Sequence, residues 1–147
     1  MPIRPILRFP DNRLTHECVA VGPVGLAAPQ IGVNLRLAVV DASDERGQVI
    51  RMADPGLYPI VEEGTYLSLE GSPCLPSITD KVERNSKVIA EYTDENGERV
   101  KKELEGLWAA SAQHQLDHLN GKLYIDKLSR VKRDMAVLKY MKKRGKR

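Results

Sequence analysis

The sequence predicts an α+β domain. Strand-like segments occupy the first two thirds of the chain, helix-like segments close it, and an Asn-Gly pair separates two alternating runs as in a β-hairpin. Strands first and helices last point to segregated layers, not to an alternating βαβ sheet.

The elements follow in order. "LRLAVVDAS" (35–43) reads as a buried strand, and "GLYPIVEEGTYLSLEGS" (56–72) sets turn residues around short apolar pieces. "KVIAEYTDENGERVKKEL" (87–104) gives the clearest local signal, with Asn96-Gly97 suited to a tight turn. After Gly106 the composition changes. "LWAASAQHQLDHL" is rich in Ala, Leu and Gln and reads as a helix stopped by Asn120-Gly121. A second helix is expected over about 129–143, capped by Ser129.

Bulk properties fit one soluble domain over residues 1–147, with 129–147 as a basic helix and tail. Hydrophobic residues make up 41% and charged residues 29%, as in ordinary globular proteins. No apolar run approaches a membrane span, so no membrane partner is expected. The opening "MPIRPILRFPDNRL" is too broken by proline and charge for a signal peptide. Cys18 and Cys74 are too few for a disulfide scaffold, so the expected compartment is the cytoplasm, with thiols free or metal-bound. The net charge of +3 is unevenly spread: residues 130–147 hold nine Lys/Arg against one Asp. A basic tail on an acidic body suggests an anionic partner, nucleic acid first, although a solvated helical end has the same composition.

His114 and His118 stand four residues apart and share one helical face, so they can offer two imidazoles to one ion. Trp108, Leu116 and Leu119 would pack nearby, and Asp117 could orient a ligand ring. Two half-buried histidines on a helix give the same pattern. A catalytic ion needs a third ligand, for which His16, Cys18 and Cys74 are the candidates.

"GLAAPQIGV" (25–33), "EGSPCLP" (70–76) and "QHQLDHLNGKLYIDKLS" (113–129) occur in the order of the three motifs of peptide deformylases, which look like GxGLAAxQ, EGCLS and QHExDH. "PILRFPDNRL", "VER" and "YTDENGE" are similar to that family too, so the resemblance covers nearly the whole chain. It implies a deformylase-like fold, with short antiparallel sheets around a metal-binding HxxxH helix and a helix at the C-terminus. The implied activity is removal of the N-formyl group from the N-terminal Met of nascent peptides. The implied cofactor is one divalent metal, Fe²⁺ in the cell, with Zn²⁺ or Ni²⁺ as substitutes. The metal activates water, the motif glutamate shuttles its proton, and N–H donors stabilise the oxyanion.

Each motif departs from that pattern. The first keeps Gly25, Leu26 and Gln30, but Pro23 replaces its first glycine. By resemblance Gln30 is an oxyanion donor, and Val24, Gly25 and Leu26 line the peptide cleft with Glu70 and Gly71. The second motif has two frames. Without gaps, Glu70, Gly71, Pro76, Val82 and Arg84 fall on family positions, which puts Ser72 at the metal cysteine and Pro73, which has no N–H, at the oxyanion donor. That frame would leave the metal site short of a ligand. In the other frame Cys74 is the ligand and the Leu75 backbone N–H the donor, helped by a bulge at Pro73. Residues 72 and 74 face one side of a strand, roughly 6–7 Å apart. The metal set is then Cys74, His114 and His118.

The third motif has Gln115 at the acid/base glutamate. An amide matches a carboxylate in shape but cannot take and return a proton. General acid–base help is worth roughly 10²–10⁴ in rate, so severely reduced deformylation is expected. Ala110 also stands where the family usually has Arg. Only "THECVAVGP" (15–23) fills the interval where the family has a long helix; an uncovered apolar face there would favour a homodimer. The basic C-terminal helix resembles the ribosome-docking end of bacterial deformylases. The rival readings are a non-catalytic pseudoenzyme that binds formyl-peptides or the ribosome, and a small basic RNA-binding module with an accidental HxxxH.

Overall fold

The structure, a computed structural model, describes residues 25–45 and 47–145. The expectations for Val24, Pro23, His16, Cys18 and the N-terminal interval lie outside those residues.

Strands β1 (Gly25–Ala27), β2 (Leu37–Val40), β3 (Ile50–Pro59), β6 (Lys87–Thr93) and β7 (Arg99–Glu105) form one antiparallel sheet in the order β1-β2-β3-β6-β7. Strands β4 (Thr65–Ser72) and β5 (Leu75–Asn85) pair only with each other in a separate antiparallel ribbon. Two helices follow, α1 (Gly106–Leu119) and α2 (Arg130–Arg144). The α+β expectation is met in this order. The β6–β7 hairpin pairs Thr93 with Arg99, and Gly97 takes the left-handed conformation (φ 80°) that its turn requires.

β3 is broken where the sequence obscures it. Its register with β6 shifts between Ala53 and Gly56, and Asp54 adopts φ 47°. Pro55 has no N–H for the ladder, which confines it to such a bulge. Arg36 ties this bulge to the end of α1. Its Nε meets Asp54 Oδ1 at 3.1 Å, and its Nη1 donates to Leu119 O and to Asn120 Oδ1.

Two apolar cores result. Val40, Met52, Val88, Ala90 and Leu104 of the sheet pack on Ala109, Ala112 and Leu119 of α1. Cys74, Leu75, Ile78 and Val82 of the ribbon pack on Tyr124, Ile125, Ala136 and Tyr140, the last two on α2. The seam between the cores is polar, and α1 contributes to it.

Candidate metal and peptide site

The ribbon announces the site through an inverted strand. On β4 the leucines point outward, with Leu67 63% and Leu69 69% exposed, while Ser68, Glu70 and Ser72 are buried. A half-buried strand ordinarily does the reverse. The inward face of β4 therefore covers polar groups, and those groups belong to β5 and α1.

Glu70 organises them. Its carboxylate accepts two bonds from Arg84, at 2.6 and 2.8 Å, and one from His114 Nδ1 at 2.8 Å. Arg84 Nη1 also donates to Asp117 Oδ2 at 2.6 Å, and Lys127 Nζ lies 3.3 Å from Asp117 Oδ1. Burial pushes the Glu70 carboxyl up, but the bonds from Arg84 and His114 outweigh it and hold the group below its ordinary value. For Arg84 burial works against the charge, and the bond to Glu70 overcomes it. The sequence offered Asp117 as the carboxylate orienting an imidazole. In the structure Glu70 holds His114, and Asp117 meets Arg84 and Lys127.

A carboxylate bonded at Nδ1 keeps that proton in place and leaves Nε2 of His114 as the lone-pair nitrogen. This Nε2 lies 3.0 Å from Nε2 of His118. Nitrogens bound tetrahedrally at 2.0–2.1 Å stand about 3.4 Å apart. The pair is thus within a few tenths of an ångström of gripping one ion. Burial first, then the electrostatic influence of His114 and Arg84, pushes the His118 pKa well down, which favours the neutral ring that ligation needs. The two imidazoles fit a divalent metal.

The third ligand is less settled by geometry: among the described residues no group of three His, Cys, Asp or Glu side chains is arranged to hold an ion. The Cys74 side chain is fully buried, and its Sγ lies 3.8 Å from Nε2 of Gln30. Ser72 instead accepts a bond from the Cys74 backbone N–H at 3.2 Å. The bulge expected at Pro73 lies elsewhere. Gly71 pairs with Thr79 and Ser72 with Leu75, so residues 76–78 leave the ladder, and Ser77 adopts φ 67°. Tyr124 OH donates to Ile78 O and Lys143 Nζ to Ser77 O, which pins this bulge. Leu75, the expected backbone donor, opens β5 and is buried.

Gln30 sits in a short 3-10 turn after β1, wholly buried. Its Oε1 accepts the Ala27 N–H at 2.9 Å, which turns its NH₂ toward Cys74. The Gln30 side chain is thereby fixed with its NH₂ beside the Cys74 thiol.

Gln115 is buried on α1 beside β1. A methyl group at Gly25 would come within 2.6 Å of Gln115 Nε2 and 2.9 Å of Ser111 Oγ, so only glycine allows this approach. Leu26, next along β1, is half-buried, while Gly71 on β4 is exposed. Gln115 Oε1 is the one buried side-chain polar atom among the described residues with no hydrogen-bond partner. Such an orphaned acceptor is rare in folded proteins and marks a place prepared for a donor. The structure therefore gathers Gln30 with Cys74, Glu70 with His114 and His118, and Gly25 with Gln115. The role of Arg84 was not read from the sequence; its burial on a strand of alternating charges was the missing signal.

Comparison with known proteins agrees with this geometry. The family model described as polypeptide deformylase matches residues 11–134. A peptide deformylase of Psychrobacter cryohalolentis is 36% identical over 172 residues, covering 99% of this chain and 93% of that protein. One from Thermodesulfovibrio yellowstonii is 41% identical over 136 residues, covering 91% of this chain and 81% of its own. The crystal structure of a peptide deformylase from Legionella pneumophila superposes with a TM-score of 0.83 at 35% identity, covering 97% of this chain and 96% of that one. The 172-residue alignment is longer than these 147 residues, so part of that relative has no counterpart here.

Proposed function

Because the chain belongs to the polypeptide deformylase family, we propose that it binds the N-formyl-Met end of nascent peptides in the cytoplasm and deformylates them only slowly. The observation that carries this reading is Gln115, an amide buried at the acid/base position. His114, His118 and Cys74 would hold the ion, Fe²⁺ by family resemblance, with Zn²⁺ or Ni²⁺ able to substitute. Such an ion supplies Lewis acidity that polarises the formyl carbonyl and acidifies water. Glu70 keeps His114 in the ligating tautomer, and Arg84 keeps Glu70 ionised. Gln30 aims its NH₂ at the position where charge develops on the formyl oxygen, with the Leu75 N–H as second donor. The backbone of Gly25 and Leu26 on one side, with Glu70 and Gly71 on the other, would flank the peptide.

What position 115 lacks is a group that moves a proton. The Gln115 amide neither takes one from water nor gives one to the leaving amine. The test is metal content followed by N-formyl-Met-peptide hydrolysis, for the protein and for Gln115→Glu. Expected are bound metal in both and a rate gain of roughly 10²–10⁴ in the variant. Equal rates in the two would refute the role given to Gln115.

The orphaned Oε1 of Gln115 also supports a second reading, a formyl-peptide-binding pseudoenzyme. That acceptor would take the amide N–H of the bound formamide and hold it without turnover. Calorimetry with formylated and free-amine peptides separates the two: tight binding with no hydrolysis at long times selects the binder.

A further inference from the structure

Tyr124 stands between the two halves of the site. It opens a short 3-10 turn (Tyr124–Lys127) just beyond the end of α1. The backbone there is tied down: the Lys122 N–H donates to Asp117 O at 2.8 Å, and the Leu123 N–H to Asp126 Oδ2 at 2.9 Å. The Tyr124 side chain is wholly buried. Its ring lies 6.2 Å from that of His114, centroid to centroid, with 20° between the planes. Aromatic rings attract in such offset-parallel pairs. His118 meets the same imidazole edge-on at 4.7 Å, and Glu70 holds its Nδ1. Tyr124, His118 and Glu70 together bound the His114 ring. The Tyr124 hydroxyl reaches the other half. It donates to Ile78 O at 3.0 Å, inside the bulge of residues 76–78. That bulge follows directly on the Ser72–Leu75 turn that carries Cys74. Lys143 of α2 holds the adjacent carbonyl of Ser77, but from an exposed position. A residue needed only to fill the core has no use for a hydroxyl, since burying one costs free energy unless it finds an acceptor. Here the acceptor is a carbonyl next to the turn that bears the thiol.

We propose that Tyr124 is a positioning residue of the metal site, whose ring bounds His114 while its hydroxyl anchors the bulge behind Cys74. This role presupposes that Cys74, His114 and His118 are the ligand set. An ion needs its ligands at one fixed separation, and here they come from separate elements, the thiol from the ribbon turn and the imidazoles from α1. Glu70 links the ribbon to His114 ahead of Cys74. Tyr124 links the same ribbon to the same imidazole after it. The turn is thus held on both sides of the thiol. Without the hydroxyl the second tie is lost, while the ring contact with His114 remains. Groups that orient ligands without touching the ion are worth about 10–100-fold in metal affinity.

The test loads the full chain with Co²⁺, which reports a bound thiolate through a charge-transfer absorption band, and measures affinity by competition with a chelator. The parent is expected to show the band and Cys74→Ser to lose it. Tyr124→Phe is expected to weaken the band and to lower Co²⁺ affinity by about tenfold or more. Ile125→Val trims a methyl group from the same core and is expected to leave both unchanged. Circular dichroism of the metal-free proteins should match the parent in every variant. Tyr124→Phe with the band and the affinity of the parent overturns the proposal. So does an equal change in Ile125→Val, which would make Tyr124 ordinary packing. A parent without the band, or a band that survives Cys74→Ser, refutes the ligand set instead, and the role given to Tyr124 falls with it.

Discussion

Arg84 is the residue on which the site's order depends. Its guanidinium is 3% exposed and bridges two buried carboxylates, Glu70 and Asp117. Removing one partner of a buried ion pair leaves the other charge uncompensated, at a cost of about 3–5 kcal/mol. Arg84→Met should therefore destabilise the protein by an amount in that range, read from urea unfolding. It should also loosen His114, whose Nδ1 would face a carboxylate no longer held in place. A loss below about 1 kcal/mol would show that water enters and solvates the carboxylates. Arg84 falls on a family position, but its bridging role was hidden in the sequence because "KVERN" alternates like an exposed edge strand. His114, Gln30 and Gln115 were legible because motif spacing, not burial, identifies them.

At the scale of elements, the inverted β4 makes a sharp prediction. Leu67→Thr and Leu69→Thr should change stability by no more than about 0.5 kcal/mol each, since both side chains already face water. A loss of about 2 kcal/mol or more in equilibrium unfolding would mean that the leucines are covered in solution. Local patterning found α1, the β6–β7 hairpin and α2 with nearly correct bounds, because each carries its own punctuation: Asn120-Gly121, Asn96-Gly97 and Ser129. It missed the full extent of β3, where Asp54-Pro55-Gly56 looks like a loop and is a bulge inside a ten-residue strand. It also gave no account of β5, which opens with Leu75 and Pro76 beside a turn and then sets polar groups on both faces. Which face of that ribbon points inward is a tertiary fact; hydropathy alone points the wrong way.

For the whole molecule, the buried ionisable groups predict acid sensitivity in two steps. Burial keeps His118 neutral in the fold, whereas the unfolded ring takes a proton below its ordinary value of 6.5. The metal-free protein should thus lose stability as pH falls below about 6.5. Glu70 has a lowered pKa, so its contribution is complete above the ordinary 4.5 and is lost as pH falls through its folded value. Melting temperature against pH should bend at both places, and His118→Asn should remove the upper bend. A profile flat from neutrality to pH 5 would contradict the burial assigned to His118. The position of the site at the seam between two cores was not legible in the sequence, because no local pattern reports which elements share a core.

Gly25 gauges the side chain it faces. With no Cβ, β1 lies so close to α1 that the length of residue 115 is fixed, while its chemistry is not. Glutamate and glutamine have the same reach, and their codons differ by a single base. An acid/base group could therefore return to this cavity without any neighbour moving, and could leave it again as easily. The mould and its occupant are inherited separately, so a lineage built on this chain can exchange an amide for a carboxylate at position 115 without crossing an unfolded or misassembled ancestor.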